Sequence, residues 1–158
     1  MADALQRFTV RDAPVRGELV MLDAQWQEVA RRHSDLPACV RDRLGELTAA
    51  ALLLAATLKF DGKLILQIHG DGPVALYVVE CDAAGAFRST VKLREDGPPP
   101  APDATLAQLV NAGGGGRFVV TLDPRDRDAG RQPYQGIVPF EGDTVAEVLE
   151  LYMARSEQ

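Results

Sequence analysis

The sequence predicts an α+β fold, a β/α/β sandwich in which two mainly antiparallel sheets enclose one apolar helix, with further helices at the periphery. Three observations carry this. Leu47 to Leu58 is apolar on nearly every side, which suits a helix covered on more than one face, and its alanines let flanking layers approach closely. Alternating runs follow between Asp61 and Leu93, joined by short turn signals, the pattern of an antiparallel meander. A strand-like run followed by a helical stripe stands near each end of the chain, a weak internal echo of Arg16-Gly17-Glu18-Leu19 in Gln135-Gly136-Ile137-Val138.

Taken in order, Met1 to Asp12 mixes Asp3, Arg7, Arg11 and Asp12 with scattered apolar residues. It has no charged segment leading into an apolar one, so no secretory leader is expected and the predicted location is the cytoplasm. Val15 to Leu22 is a β-branched and apolar run, read as a strand. Asp23 is an N-cap candidate for a helix with Trp26, Val29, Ala30 and His33 on one face. Pro37 opens a longer helix that begins amphipathic, with Val40 and Leu44, and becomes apolar all round after Leu47. That apolar run is too short for a membrane span, which needs about 20 residues.

Asp61-Gly62 is a two-residue hairpin signal. After it, Leu64, Leu66 and Ile68 alternate with Lys63, Ile65, Gln67 and His69, a strand buried on at least one face. Gly70-Asp71-Gly72-Pro73 is expected to supply positive-φ positions for the next turn, and Pro73 can begin a strand without costing a ladder bond. Val74 to Glu80 is the second strand of the meander. Asp82 to Gly85 turns into a third, with Phe87, Val91 and Leu93 on one side and Arg88, Thr90 and Lys92 on the other. The proline-rich stretch 96–102 cannot continue a sheet and is expected to be an exposed loop within one domain spanning 1–158.

Asp103 is expected to cap a short helix carrying Leu106, Leu109 and Val110. Gly113 to Gly116 then reverses the chain into a strand, Phe118 to Leu122. A phosphate cradle would need these glycines to lead into a helix N-terminus, and here they leave a helix and enter a strand. Asp123 to Gln132 is a charged turn. Tyr134 to Phe140 returns as a strand that Pro139 assigns to an edge or a strand end. Thr144 and Glu147 form a capping box for a final helix with the stripe Val145, Val148, Leu149, Tyr152 and Met153. Leu151 lies off that stripe and is a candidate for a partner surface. Arg155 to Gln158 contains no C-cap glycine.

Composition narrows the function. At 158 residues the chain can bury enough surface to fold as one domain without metal or disulfides. Lys and Arg total 17 against 23 Asp and Glu, a net charge of −6 that argues against nucleic acid as a partner. Cys39 and Cys81 are the only cysteines; both read as reduced thiols, and two thiolates without neighbouring ligands do not complete a zinc site. His33 and His69 are the only histidines, and neither a Gly-x-Ser-x-Gly elbow nor a His-Glu-x-x-His helix occurs. Asp61, Asp71, Asp123, Asp126, Asp128 and Asp143 sit among glycines, prolines and charges, where turn chemistry explains them. No catalytic residue is assigned and the chain is not expected to be an enzyme. The alternative is a small-molecule-binding or hydrolytic α+β domain with a pocket near the Gly113 to Gly116 loop and the acidic turns.

Two ordered blocks carry a family resemblance. The first is Leu58 to Pro73, Leu-Lys-Phe-Asp-Gly-Lys-Leu-Ile-Leu-Gln-Ile-His-Gly-Asp-Gly-Pro, with Asp61, Gly62, Gly70, Asp71, Gly72 and Pro73 as its turn residues. The second is Pro133 to Val138 with Tyr134, Gln135 and Gly136, followed by Glu141-Gly142-Asp143-Thr144. Together they resemble the redox-regulated bacterial heat-shock chaperones of thirty-three kilodaltons, starting near Val15 and running to the last residues. The resemblance implies an ATP-independent holdase that binds unfolding client proteins under oxidative stress, and a homodimer, with strand or domain exchange as one form. In that family a C-terminal domain holds zinc through a Cys-x-Cys and a Cys-x-x-Cys pair, and oxidising them activates the protein. This sequence contains neither pair, so it resembles the family's N-terminal core alone and is expected to act independently of redox state, with no cofactor of its own. Client-binding residues cannot be told from core residues in the sequence, because both are apolar.

Overall fold

The computed structural model describes residues 2–58, 61–126 and 130–156. Lys59 and Phe60 of the first signature block, Asp128 in the charged turn, and Glu157 and Gln158 at the end lie outside the described residues. Strand β1 (Ala4–Thr9) pairs antiparallel with β2 (Arg16–Met21) as a two-stranded sheet. The sequence signals β2 but not β1. All of β1 except Ala4 is exposed, so no inward apolar row marks it. Its Arg7 faces Glu18 across the hairpin, where Nε donates to the carboxylate at 2.7 Å.

Helix α1 (Ala24–Arg32) begins where Asp23 predicts, but Asp23 is not the side chain that caps it. The Asp3 carboxylate accepts from the Asp23 N–H and, at 3.2 Å, from the Gln25 N–H. Asp23 instead accepts from the Gln27 side-chain amide at 2.7 Å. The cap comes from the segment before β1, a donor that local spacing does not reveal. Helix α2 (Ala38–Thr57) follows with Pro37 at its N-cap, as expected. Its 20 residues extend about 30 Å, enough to cross the whole domain. Val40, Leu44, Leu47, Ala51 and Leu52 fill the space between the sheets.

The second sheet has five strands in the order β5-β4-β3-β6-β7, all antiparallel. The strands are β3 (Gly62–His69), β4 (Val74–Asp82), β5 (Phe87–Leu93), β6 (Arg117–Pro124) and β7 (Tyr134–Pro139). Leu64, Leu66 and Ile68 point into the core, as their alternation predicts, beside Tyr77 and Val79 of β4 and Phe118 and Val120 of β6. α2 packs between this sheet and β2, so the two sheets do enclose it. The short helix α3 (Leu106–Val110) seals one end of the core, and α4 (Val145–Ser156) packs against α2 and buries Val145, Val148 and Tyr152, the last with its ring edge-on to Phe118 of β6.

Several local expectations are corrected. Asp61-Gly62 is not a hairpin turn, because what precedes it is the end of α2; it links helix to strand. Gly70 and Gly72 do not adopt positive φ. They are glycine because the backbone passes too close for a side chain: a Cβ at Gly70 would stand 2.1 Å from the Val74 carbonyl oxygen, and one at Gly72 2.6 Å from that of Leu109. α3 is capped by Thr105 and not Asp103, in a reciprocal box with Gln108. At α4 the Thr144 hydroxyl accepts from the Glu147 N–H at 3.2 Å, while Glu147 reaches back to the Asp143 N–H at 2.7 Å, one residue before the expected partner. The 96–102 loop is exposed except for a half-buried Pro100, and β7 lies at a sheet edge with Pro139 as its last residue.

Candidate functional site

The helix that the two sheets enclose is open on one side. Leu44, Leu47 and Ala51 are buried, but Leu53 and Leu54 are half-buried and Thr57 is exposed. At spacings of four, three and four residues, Glu46, Ala50, Leu53 and Thr57 lie along one face of α2. That face and the Val145, Ala146, Leu149 and Met153 side of α4 bound a groove of about 690 Å³. Met153, placed in the buried stripe by its spacing, is 42% exposed and forms part of the groove wall. Leu151 is half-buried and does not line it. The groove is almost wholly apolar, with Glu46, Thr57 and Thr144 as its polar positions. Thr57 gives its hydroxyl proton to the Leu54 carbonyl, which leaves little hydrogen-bonding demand in the wall.

Other large apolar side chains are exposed outside the groove. Leu5, Phe8, Val10, Val15 and Leu19 lie on the β1–β2 hairpin, and Tyr134 and Ile137 on the β7 edge. On the outward face of the hairpin, Phe8 lies over Gly17, where a Cβ would come within 2.2 Å of the ring. Val10, Val15 and Leu19 share that outward face with Phe8, an apolar surface that lines none of the cavities among the described residues.

The signature residues do not converge on one site. β3 separates Asp61 and Gly62 from Gly70 to Pro73 by about 26 Å, eight residues at strand rise. At one end Asp61 pairs with Arg125 at 3.2 Å on the surface. At the other, Asp71 ties the β3–β4 turn to the glycine run: its carboxylate accepts from the Gly115 N–H at 2.7 Å and the Gly113 N–H at 3.2 Å. The Gly116 N–H goes to the Asn111 side chain. The loop that might have cradled an anion thus holds the chain's own carboxylate. Arg94 completes the tie by donating to the carbonyls of Gly72 and Gly70, at 3.1 and 2.6 Å. In the second block, Gly136 leaves room for the hydroxyls of Tyr134 and Tyr152, and Gln135 donates to Thr121 at 3.3 Å. Burial, and then the hydrogen bond with Tyr134, pushes the Tyr152 phenol up to about 12. These residues are scaffold.

The Asp71 tie has a pH signature. The Gly115 N–H, joined by that of Gly113 and the charge of Arg94, holds the Asp71 carboxyl below the ordinary aspartate range. A carboxyl lowered in the folded state contributes fully above its unfolded value, about 3.9, and loses that contribution as pH falls through the folded value. Asp71→Asn is expected to cost about 1 kcal/mol at neutral pH, a fall in Tm of about 2–4 °C. The gap between wild type and variant should be constant above about pH 5 and close below about pH 4 in thermal melts followed by circular dichroism.

The thiols are far apart. Cys39 lies in the first turn of α2 and donates to the Ala101 carbonyl, whereas Cys81 meets the Ala51 carbonyl, 12 residues further along the helix. That is about 18 Å, beyond the reach of a disulfide. Burial pushes the Cys81 thiol up to about 12, so it is protonated at neutral pH. Among the described residues no three His, Cys, Asp or Glu side chains are grouped to hold a metal ion, and Cys39 and Cys81 do not fit a zinc site. His69 bonds Gln67 at 2.7 Å and His33 bonds the Val29 carbonyl at 2.9 Å, at separate places. No helix among the described residues is long and apolar enough to cross a membrane.

The sandwich thus leaves one side of its central helix as the floor of an open, apolar groove. The chain belongs to the Hsp33 family, whose model, described as Hsp33 protein, matches residues 3–158. It is 50% identical to the 33 kDa chaperonin of Chromobacterium violaceum over 99% of this chain and 50% of that protein. It is 46% identical to the 33 kDa chaperonin of Methylobacillus flagellatus over 100% of this chain and 50% of that protein. The crystal structure of the 33 kDa chaperonin from Thermotoga maritima superposes with a TM-score of 0.74 at 25% identity, covering 98% of this chain and 51% of that one. The chain spans about half the length of the relatives it matches.

Proposed function

We propose that this chain is the client-holding core of an ATP-independent chaperone and that the α2–α4 groove is where unfolding segments dock. The observation that carries the reading is the groove itself: a holdase must offer apolar surface of adaptable shape, and here Leu53, Leu54, Leu149 and Met153 supply it with few polar groups to satisfy. Family membership supports the chaperone class. The reading needs no catalytic residue and no nucleotide, and it places the protein in the cytoplasm among stress-unfolded clients. Self-association through the β7 edge or the β1–β2 hairpin, where apolar side chains are exposed, fits a homodimer. With two thiols too far apart to join, client holding is independent of redox state.

Hydroxyl-radical footprinting tests the docking site. A chemically unfolded client added to the chain should protect Met153, Leu53 and Leu149 from oxidation and leave Phe8 and Leu19 as reactive as before. Protection confined to the hairpin residues would move the site off the groove and overturn the proposal.

A further inference from the structure

The groove also carries information about which segments it takes, an inference that rests on the docking site proposed above. Its walls are apolar, but its rim is acidic. At 100° per residue, Asp42 continues the Glu46, Ala50, Leu53 row one turn toward the N-terminus of α2. On α4, Glu150 stands beside Ala146 and Met153 on the side turned away from the buried Val148 and Tyr152. Asp42, Glu46 and Glu150 are all exposed.

Of the nearby cations two are matched, and Arg41 projects about 100° round α2 from Asp42, off the groove row. Arg43 pairs with Glu46 at 3.1 Å, and Arg155 pairs with Glu141. Asp42 and Glu150 have no ion-pair partner among the described residues. The local field over the groove is therefore negative, in a chain whose net charge is −6. We propose that the groove selects apolar segments flanked by Lys or Arg and discriminates against those flanked by Asp or Glu. From Glu46 to Thr57 the row on α2 spans about 16 Å, which matches three turns of an amphipathic helix with apolar residues at i, i+3, i+4 and i+7. A basic residue beside that stripe comes to rest near Asp42 or Glu150 while its aliphatic stem stays on apolar wall. A carboxylate in the same place meets like charge at the edge of a dry surface.

Two fluorescent peptides with one apolar stripe, flanked by Lys in one and by Glu in the other, test this by anisotropy on the whole chain. The basic peptide should bind at least about tenfold tighter at low salt, and the preference should shrink as ionic strength rises toward about 1 M, where the screening length is about 3 Å. Asp42→Asn with Glu150→Gln should remove most of the preference. Asp12→Asn with Glu95→Gln, which removes the same charge from distant surface, should leave it intact. Equal binding of both peptides would overturn the charge preference while leaving the groove as a docking site. Binding of neither would remove the docking site and this inference together. A preference that falls equally with the distant pair would assign it to net charge and not to the rim.

Discussion

Leu53→Asp combined with Met153→Asp is expected to abolish client holding while leaving the fold intact. Both side chains face the groove; Leu53 is half-buried and Met153 is 42% exposed, so neither is part of the buried core. Each apolar side chain that a client covers contributes about 1.5–3 kcal/mol, and a carboxylate put in its place must be desolvated as the client docks. The combined loss exceeds about 3 kcal/mol, or more than 100-fold in affinity. Leu19→Asp makes the same chemical change on the outward face of the β1–β2 hairpin and should leave holding unchanged. Sedimentation of chain–client complexes compares the three proteins. If the groove variant still holds clients, or the hairpin variant does not, the site is misplaced.

Gly70→Ala is expected to be the most destabilising small change in the chain. The added Cβ would stand 2.1 Å from the Val74 carbonyl oxygen and 3.0 Å from the Val110 Cα, and both are backbone atoms that cannot rotate away. Relief requires opening the β3–β4 turn between Gly70 and Val74 and shifting it off Val110 of α3, which breaks the Gly70 N–H bond to Ala75 and the Arg94 bond to the Gly70 carbonyl. A cost of about 3–5 kcal/mol follows, or a Tm lower by roughly 10 °C. Gly97→Ala is the control, since nothing lies within 4 Å of a Cβ there. A Gly70→Ala protein that melts with wild type would contradict the close approach on which this turn depends.

The meander could be read because Leu64, Leu66 and Ile68 alternate with residues that face away from the core, and one-sided burial is all that a period of two requires. The central helix could be read because a run of Leu and Ala without charge must bury most of its surface, as Leu47, Ala50, Ala51, Leu52 and Ala55 do. Gly70 and Gly72 were visible as necessary glycines, yet the reason lies in Val74, Leu109 and Val110, contacts between elements that no local pattern encodes. The same holds for Asp3 capping α1 and for Asp71 filling the glycine loop, which are partners 20 and more than 40 residues apart. β1 was illegible because its side chains face solvent.

The groove was hidden for a different reason. Leu53 and Met153 have the spacing and the chemistry of core residues, and only the tertiary placement of α4 beside α2 leaves them lining an open groove. The family blocks were legible as sequence but marked scaffold: Asp61 and Gly62 at one end of β3, Gly70 to Pro73 at the other, and Tyr134 to Gly136 on the edge strand.

The most direct measurement is light scattering from a chemically unfolded client diluted into buffer with and without this chain, in parallel with and without reductant. Suppression of aggregation to the same extent in both buffers is expected, because the groove carries the holding and Cys39 and Cys81 are too far apart to join. No suppression in either buffer would contradict the claim that this core holds clients, and suppression in only one would contradict its independence of redox state.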